Sequence, residues 1–314
     1  MSGTAEHVAL IVKGDTQYVF VSHENGSLHV YACKPGLWKV PTVWHKLAFS
    51  KDHDLTRIMQ LLVCEEELYF VTLDKNLTMR LIKYDFINSC VQELYSQADY
   101  EDPDGAFCMG PSKHDFYYSD FREVLHVNLQ HKTPPTLAYT LQNEERKITA
   151  LAEARGRLIV GTKFARLLHR GEEKLGQVIQ IPGSTFKGPY EIAKLASSDD
   201  QNTILLLDEN EELHFYDSDF KVKHDSLPGV YDMCTAPGRR TATLSHDSTK
   251  QSVVTVYRAL QHELVHEFVL NVPTTALPMR GQDMNTQLHE TRNKRTQNQE
   301  QRTAKRQRTL GLTF

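Results

Sequence analysis

No stretch of this 314-residue chain approaches the run of about eighteen apolar residues that a membrane helix needs. Its opening, MSGTAEHVALIVKG, has neither the basic start nor the long apolar segment of a secretory signal. Cysteine is sparse: Cys33, Cys64, Cys90, Cys108 and Cys234 are odd in number, widely spaced and set mostly among apolar neighbours. That pattern excludes a disulfide framework or a zinc cluster and fits small core residues in a reducing compartment. The expectation is a soluble intracellular protein. Gly-rich phosphate loops, nucleophile elbows and kinase signatures are also missing, so catalysis has no strong sponsor.

Acidic residues are scarce in one part of the chain. Residues 272–314 carry eight Lys and Arg against three Asp and Glu, a net of +5, which leaves the preceding body at −9 out of the total of −4. An acidic body is a poor phosphate binder, so the main domain is not expected to grip nucleic acid by charge.

What is present is a repeat. A short apolar strand, a polar turn and a second alternating strand recur six times across residues 7–270: at 16–32, 66–85, 114–129, 156–170, 202–217 and 240–258. Taking the turns near Asn25, Lys75, Phe121, Lys163, Asn210 and Ser248, the spacing averages about 45 residues, the length of one four-stranded propeller blade. Weaker strands such as HVALIVK (7–13), RIMQLLVC (57–64) and SCVQELY (89–95) flank the hairpins. Asn25-Gly26 is the clearest turn signal, suited to a tight two-residue hairpin. LHVY, LHVN and LHFY recur from Leu28, Leu125 and Leu213. A period-two strand that buries the Leu puts the His on its other face, as a packing or rim residue.

Tyr84-Asp85 and Tyr216-Asp217 stand where WD-repeat proteins place Trp-Asp, and in that respect residues 5–271 resemble a divergent WD-like propeller. Trp-Asp itself and the usual Gly-His pair are missing. The fold expected is all-β, a β-propeller of about six four-stranded blades with seven as the alternative, followed by a disordered basic tail over 272–314. Such a propeller implies a scaffold that binds proteins, and it does not name the job.

Two local clusters invite a chemical reading. HELVH, His262 to His266, matches H-E-x-x-H, in which two His one helical turn apart bind zinc and Glu263 acts as base. That chemistry requires a helix and a third ligand, for which His289 or Glu290 would have to serve, whereas the surrounding β-branched residues read as strand. A zinc peptidase is therefore the weakest alternative. DYEDPDGAF (99–107) gathers four acidic residues but lacks the closing Glu of a calcium loop, and reads as a solvated acidic connection. The expectation is a protein without metal, cofactor or catalytic residues.

From Asn271 the composition turns to Gln, Asn, Thr and Arg with few large apolar residues, which predicts disorder. Lys294-Arg295 and Lys305, Arg306 and Arg308 resemble a bipartite nuclear localisation signal, which implies importin as a partner and the nucleus as location. The last eight residues, QRTLGLTF, resemble the PCNA-interacting peptide, the box by which replication and repair proteins hold the sliding clamp. In that family the Gln caps a polar pocket and a 3₁₀ turn places the aliphatic and aromatic positions in the clamp's cavity. Here the corresponding residues are Gln307, Leu310, Thr313 and Phe314. Thr313 departs from the family at the first aromatic position, a loss of roughly 1–2 kcal/mol of burial. A PDZ ligand ending in Leu312-Thr313-Phe314 is the rival reading of the same residues. The function these features imply is a nuclear, non-enzymatic adaptor tethered to PCNA in DNA replication or repair. The alternative is a propeller subunit of another complex, such as a ubiquitin-ligase substrate receptor.

Overall fold

The structure is a computed structural model, and it describes residues 4–24, 26–33, 42–47, 57–88, 90–131, 133–141, 147–162, 166–169, 177–180, 192–198, 202–218, 220, 223–236, 240–247, 250–258 and 263–269. The chain divides into two units, residues 1–273 and 274–314. Regular structure among the described residues is entirely β-strand, in six four-stranded antiparallel sheets.

Each sheet is a continuous run of sequence. The first holds β1 (Ala5–Lys13), β2 (Thr16–His23), β3 (Leu28–Cys33) and β4 (Thr42–Leu47). The second holds β5 (Arg57–Cys64), β6 (Glu67–Leu73), β7 (Met79–Asp85) and β8 (Cys90–Gln97). The third holds β9 (Phe107–Met109), β10 (Asp115–Asp120), β11 (Glu123–Asn128) and β12 (Thr136–Thr140). The fourth holds β13 (Ile148–Ala154), β14 (Arg157–Thr162), β15 (Arg166–His169) and β16 (Gln177–Gln180). The fifth holds β17 (Ile192–Ser197), β18 (Thr203–Asp208), β19 (Glu212–Asp217) and β20 (Lys223–Pro228). The sixth holds β21 (Val230–Ala236), β22 (Arg240–His246), β23 (Ser252–Arg258) and β24 (Glu263–Val269).

The first strand of every sheet adjoins the first strand of the next, and β21 returns to β1, so the arrangement is propeller-like. Burial follows from that ring. The inner strands carry most of the buried core, as in Val8, Ala9, Leu10 and Ile11 of β1 and Ile204 to Leu207 of β18, while the fourth strand β8 is largely exposed. Sheets pack face to face. One apolar cluster joins Leu10 and Phe20 to Ile58 and Phe70 on one side and to Leu244 and Val254 on the other. Another joins Ala152 and Ile159 to Leu206 and Tyr216.

The six repeated segments form the second and third strands of their sheets, and four of the six share a turn. His23, Asp74, Asp208 and Asp247 each precede, three residues on, a left-handed residue: Gly26 (φ 73°), Leu77 (φ 60°), Glu211 (φ 61°) and Lys250 (φ 62°). The residue before the turn receives the left-handed residue's N–H on its carbonyl, at 2.8 to 3.2 Å. This is the three-residue loop with a bulge, in place of the two-residue hairpin expected at Asn25-Gly26: His23 N–H bonds to the Ser27 carbonyl at 2.9 Å. In the three Asp turns the carboxylate adds what His23 cannot. Asp74 Oδ1 accepts the Asn76 and Thr78 N–H groups, and Asp74 Oδ2 lies 2.8 Å from Arg80 Nη1. Asp74→Ala is expected to cost about 2 kcal/mol, from lost bonds to a charged group, measured as a shift in the urea midpoint.

Glu263–Val269 is strand, with His266 paired to Val256 and Leu264 to Tyr257 around a bulge. Successive residues there rise by about 3.3 Å, so this segment does not present one face at helical spacing, which the zinc-peptidase reading requires. His262, His289 and Glu290 lie outside the described residues.

Candidate functional site: the mouth of the central channel

Register irregularities recur at the same place in five of the six first strands. The pairing slips between Ala5 and His7, Ile58 and Gln60, Ile148 and Ala150, Ile192 and Lys194, and Val230 and Asp232. Each slip marks a bulge near the strand's start, and a bulge re-aims side chains that regular pleating would direct into the sheet faces. Residues at and beside these bulges line a cavity of about 220 Å³: Glu6 and His7 from β1, Arg57 from β5, Thr149 from β13, Lys194 from β17 and Asp232 from β21.

Charges in this mouth answer one another across sheets. Asp232, on the sixth sheet, accepts the Val8 N–H of the first sheet at 2.6 Å and the Lys194 ammonium of the fifth at 2.6 Å. The His7 ring lies 4.0 Å away. Burial alone would raise the Asp232 carboxyl, but Lys194 and His7 outweigh it and hold the group below the ordinary aspartate value. At the first-to-second boundary Arg57 Nε stands 4.0 Å from Glu6 Oε1, a partly exposed pair. Glu6 Oε2, His7 Nε2 and Thr149 Oγ1 are buried without a protein hydrogen-bond partner. A small polar guest or ordered water suits such a lining.

The opposite ends of the first strands are tied differently. Ser197 Oγ donates to the Glu153 carbonyl at 2.6 Å, and Thr235 Oγ1 donates to the Ser197 carbonyl at 2.7 Å, a relay over the fourth, fifth and sixth sheets. Both ends of the first strands therefore spend polar side chains on joining sheets.

The acidic connection at 99–107 departs from its expectation. Asp99, Glu101 and Asp104 are exposed, but Asp102 is fully buried. Its Oδ1 lies 2.7 Å from Lys147 Nζ and its Oδ2 accepts the Phe121 N–H at 3.0 Å, so a lysine already supplies the cation there. The sequence signal was an Asp followed by Pro-Asp-Gly and a buried strand, which reads equally as a turn. The cysteines divide as well: Cys108 and Cys234 are buried core residues, whereas Cys90 is exposed.

The three repeated histidines are not equivalent. His29 packs against His23 with ring centroids 4.3 Å apart. His126 Nε2 stands 2.9 Å from Asp115 Oδ1. His214 is the most enclosed, 3% exposed, with Nε2 at 3.1 Å from Asp208 Oδ2. It is not a rim residue, because both faces of an inner sheet pair are covered by neighbouring sheets. Asp208, Glu212 and His214 bring one donor atom each within 4.8 Å of the others, the one group of this kind among the described residues.

Gln307, Leu310, Thr313 and Phe314, and the cations Lys294, Arg295, Lys305, Arg306 and Arg308, lie outside the described residues. No protein-family model matches this chain, and no curated protein does.

Proposed function

We propose that the protein is a non-enzymatic nuclear scaffold whose body is a six-bladed, WD-like propeller and whose basic segment tethers it to the PCNA sliding clamp in DNA replication or repair. The observation that carries the reading is the octet Gln307 to Phe314, with an aliphatic residue three positions after a Gln and an aromatic at the eighth. Lys305, Arg306 and Arg308 beside it would steer the segment toward an acidic clamp surface and, with Lys294 and Arg295, engage importin. The body suits a scaffold because its buried charges, Asp232 and Lys194 above all, are engaged in joining sheets, leaving the rim for partners.

The test is titration of a peptide of residues 300–314 onto PCNA. Saturable binding with a Kd on the order of 10 μM, weakened at least tenfold by Phe314→Ala, is expected from one short anchor lacking its first aromatic. Binding should persist when one residue is appended after Phe314, which a PDZ ligand would not tolerate. No saturation below about 1 mM, or indifference to Phe314→Ala, overturns the reading.

A further inference from the structure

The second and fifth sheets carry the same hairpin with different contents. In the second, Asp74 is followed six positions later by Arg80, whose guanidinium meets Asp74 at 2.8 Å and Glu93 at 3.3 Å. In the fifth, Asp208 is followed six positions later by His214, and the second carboxylate is that of Glu212, whose Oε1 lies 3.9 Å from His214 Nδ1. Two carboxylates converge on the sixth residue after the Asp in each sheet, the second coming from β8 in one case and from the hairpin itself in the other. The second sheet supplies a permanent cation between them, and the fifth supplies an imidazole.

Asp208 fixes how that imidazole is presented. Its Oδ1 is committed to the Asn210 and Glu212 N–H groups, and its Oδ2 sits 3.1 Å from Nε2. A carboxylate can only accept, so Nε2 carries the proton and the neutral ring offers a lone pair at Nδ1. Nδ1 is buried with no hydrogen-bond partner, on a side chain that is itself 3% exposed. It faces the Glu212 oxygen across a gap too long for a hydrogen bond. Two coordination bonds of about 2.0–2.2 Å, bent at a metal, span such a gap.

We propose that His214 Nδ1 and the Glu212 carboxylate bind a divalent first-row transition-metal ion of the zinc class, with Asp208 as the positioning residue for the ring. An imidazole with a carboxylate selects such an ion over calcium, which requires six to eight oxygens. Glu212 is 42% exposed, so the ion has a path from solvent, and exposed Glu209 and Glu211 on the same loop add attraction. The body of the chain, read as a scaffold, gains a site independent of the octet at 307–314.

The experiment is calorimetric titration of Zn²⁺ into the full chain, with Ca²⁺ as comparison, for the wild type, Glu212→Gln and His214→Ala. One zinc equivalent with a Kd on the order of micromolar is expected, weakened at least tenfold by either substitution, with no Ca²⁺ heat at the same site. Zinc uptake unchanged in both variants overturns the site, since other histidines would then account for it. Glu212→Gln decides if His214→Ala fails to fold, because the Glu212 side chain reaches solvent. A ¹⁵N spectrum with His214 protonated on both nitrogens and insensitive to Zn²⁺ also overturns it, as a proton would then occupy the bridge.

Discussion

Asp232→Ala is expected to lower stability by about 3–5 kcal/mol, the usual consequence of removing one partner of a buried ion pair and leaving the other unpaired. The substitution strands Lys194, 12% exposed, and frees the Val8 N–H in a buried setting. It also severs contacts that run from the sixth sheet to both its neighbours in the ring. Thermal unfolding should shift down by on the order of 10 °C for a unit of this size. A shift worth less than about 1 kcal/mol would show that the pair contributes little beyond its own desolvation.

Acid should act through the same residue. The folded-state value of Asp232 is depressed, because Lys194 and His7 outweigh its burial. Its contribution is therefore complete above the unfolded carboxyl value of about 3.9 and is lost as pH falls through the lower folded value. Stability of the wild type should decline below about pH 4, and the Asp232→Ala variant should show a shallower decline there. Identical slopes in the two proteins would assign the acid transition to other carboxylates.

Gly105→Ala is the second substitution with a large expected effect, about 3 kcal/mol. The cause is steric: a Cβ on Gly105 would overlap the Tyr100 hydroxyl and come within 2.9 Å of the ring carbon that bears it. Tyr100 cannot easily yield. It is 2% exposed, donates to the Ser119 carbonyl at 2.7 Å, and packs against Phe107 and Tyr118 with ring centroids 6.1 and 6.0 Å away. Tyr100→Phe removes the hydroxyl and should cost about 1–2 kcal/mol by leaving that carbonyl unpaired. In the double variant the worst overlap is gone, so the two losses should fall short of additivity by at least about 1 kcal/mol. Strict additivity would mean that Gly105 acts through its backbone and not through Tyr100.

The repeat was legible because it is local. Hairpins such as 66–85 and 202–217 carry apolar alternation on both sides of a polar turn, and burial in a ring of sheets preserves that pattern in every copy. β4 and β16 were harder to read, since outer strands keep one edge unpaired and need not be apolar. The channel mouth could not be read at all. Asp232 sits in GVYDMCTA as the one charged residue of its strand, and its partners are 38 and 224 positions away. The bulges that turn Glu6, Thr149 and Tyr231 out of register leave no residue signature either, since any side chain can occupy them. The Asp208–His214 pair did leave a trace: DKNLTMR and DENEELH align at Asp, Asn and a terminal basic residue, a match visible only once the turn geometry is known. The octet at 307–314 was read wholly from its residue types.

Among the described residues no sheet in this ring borrows a strand from a distant part of the chain: β1 to β4 make the first and β21 to β24 the last. Among the described residues the seam between them is side-chain packing around Leu10, Leu244 and Val254 and the Val8 N–H bond to Asp232, with no backbone ladder crossing it. Where along the circle the polypeptide happens to enter is thus topologically neutral. A circular permutant that opened the chain between any two sheets and joined the old ends of the ring would keep every ladder intact, and would convert this non-covalent seam into an ordinary peptide connection.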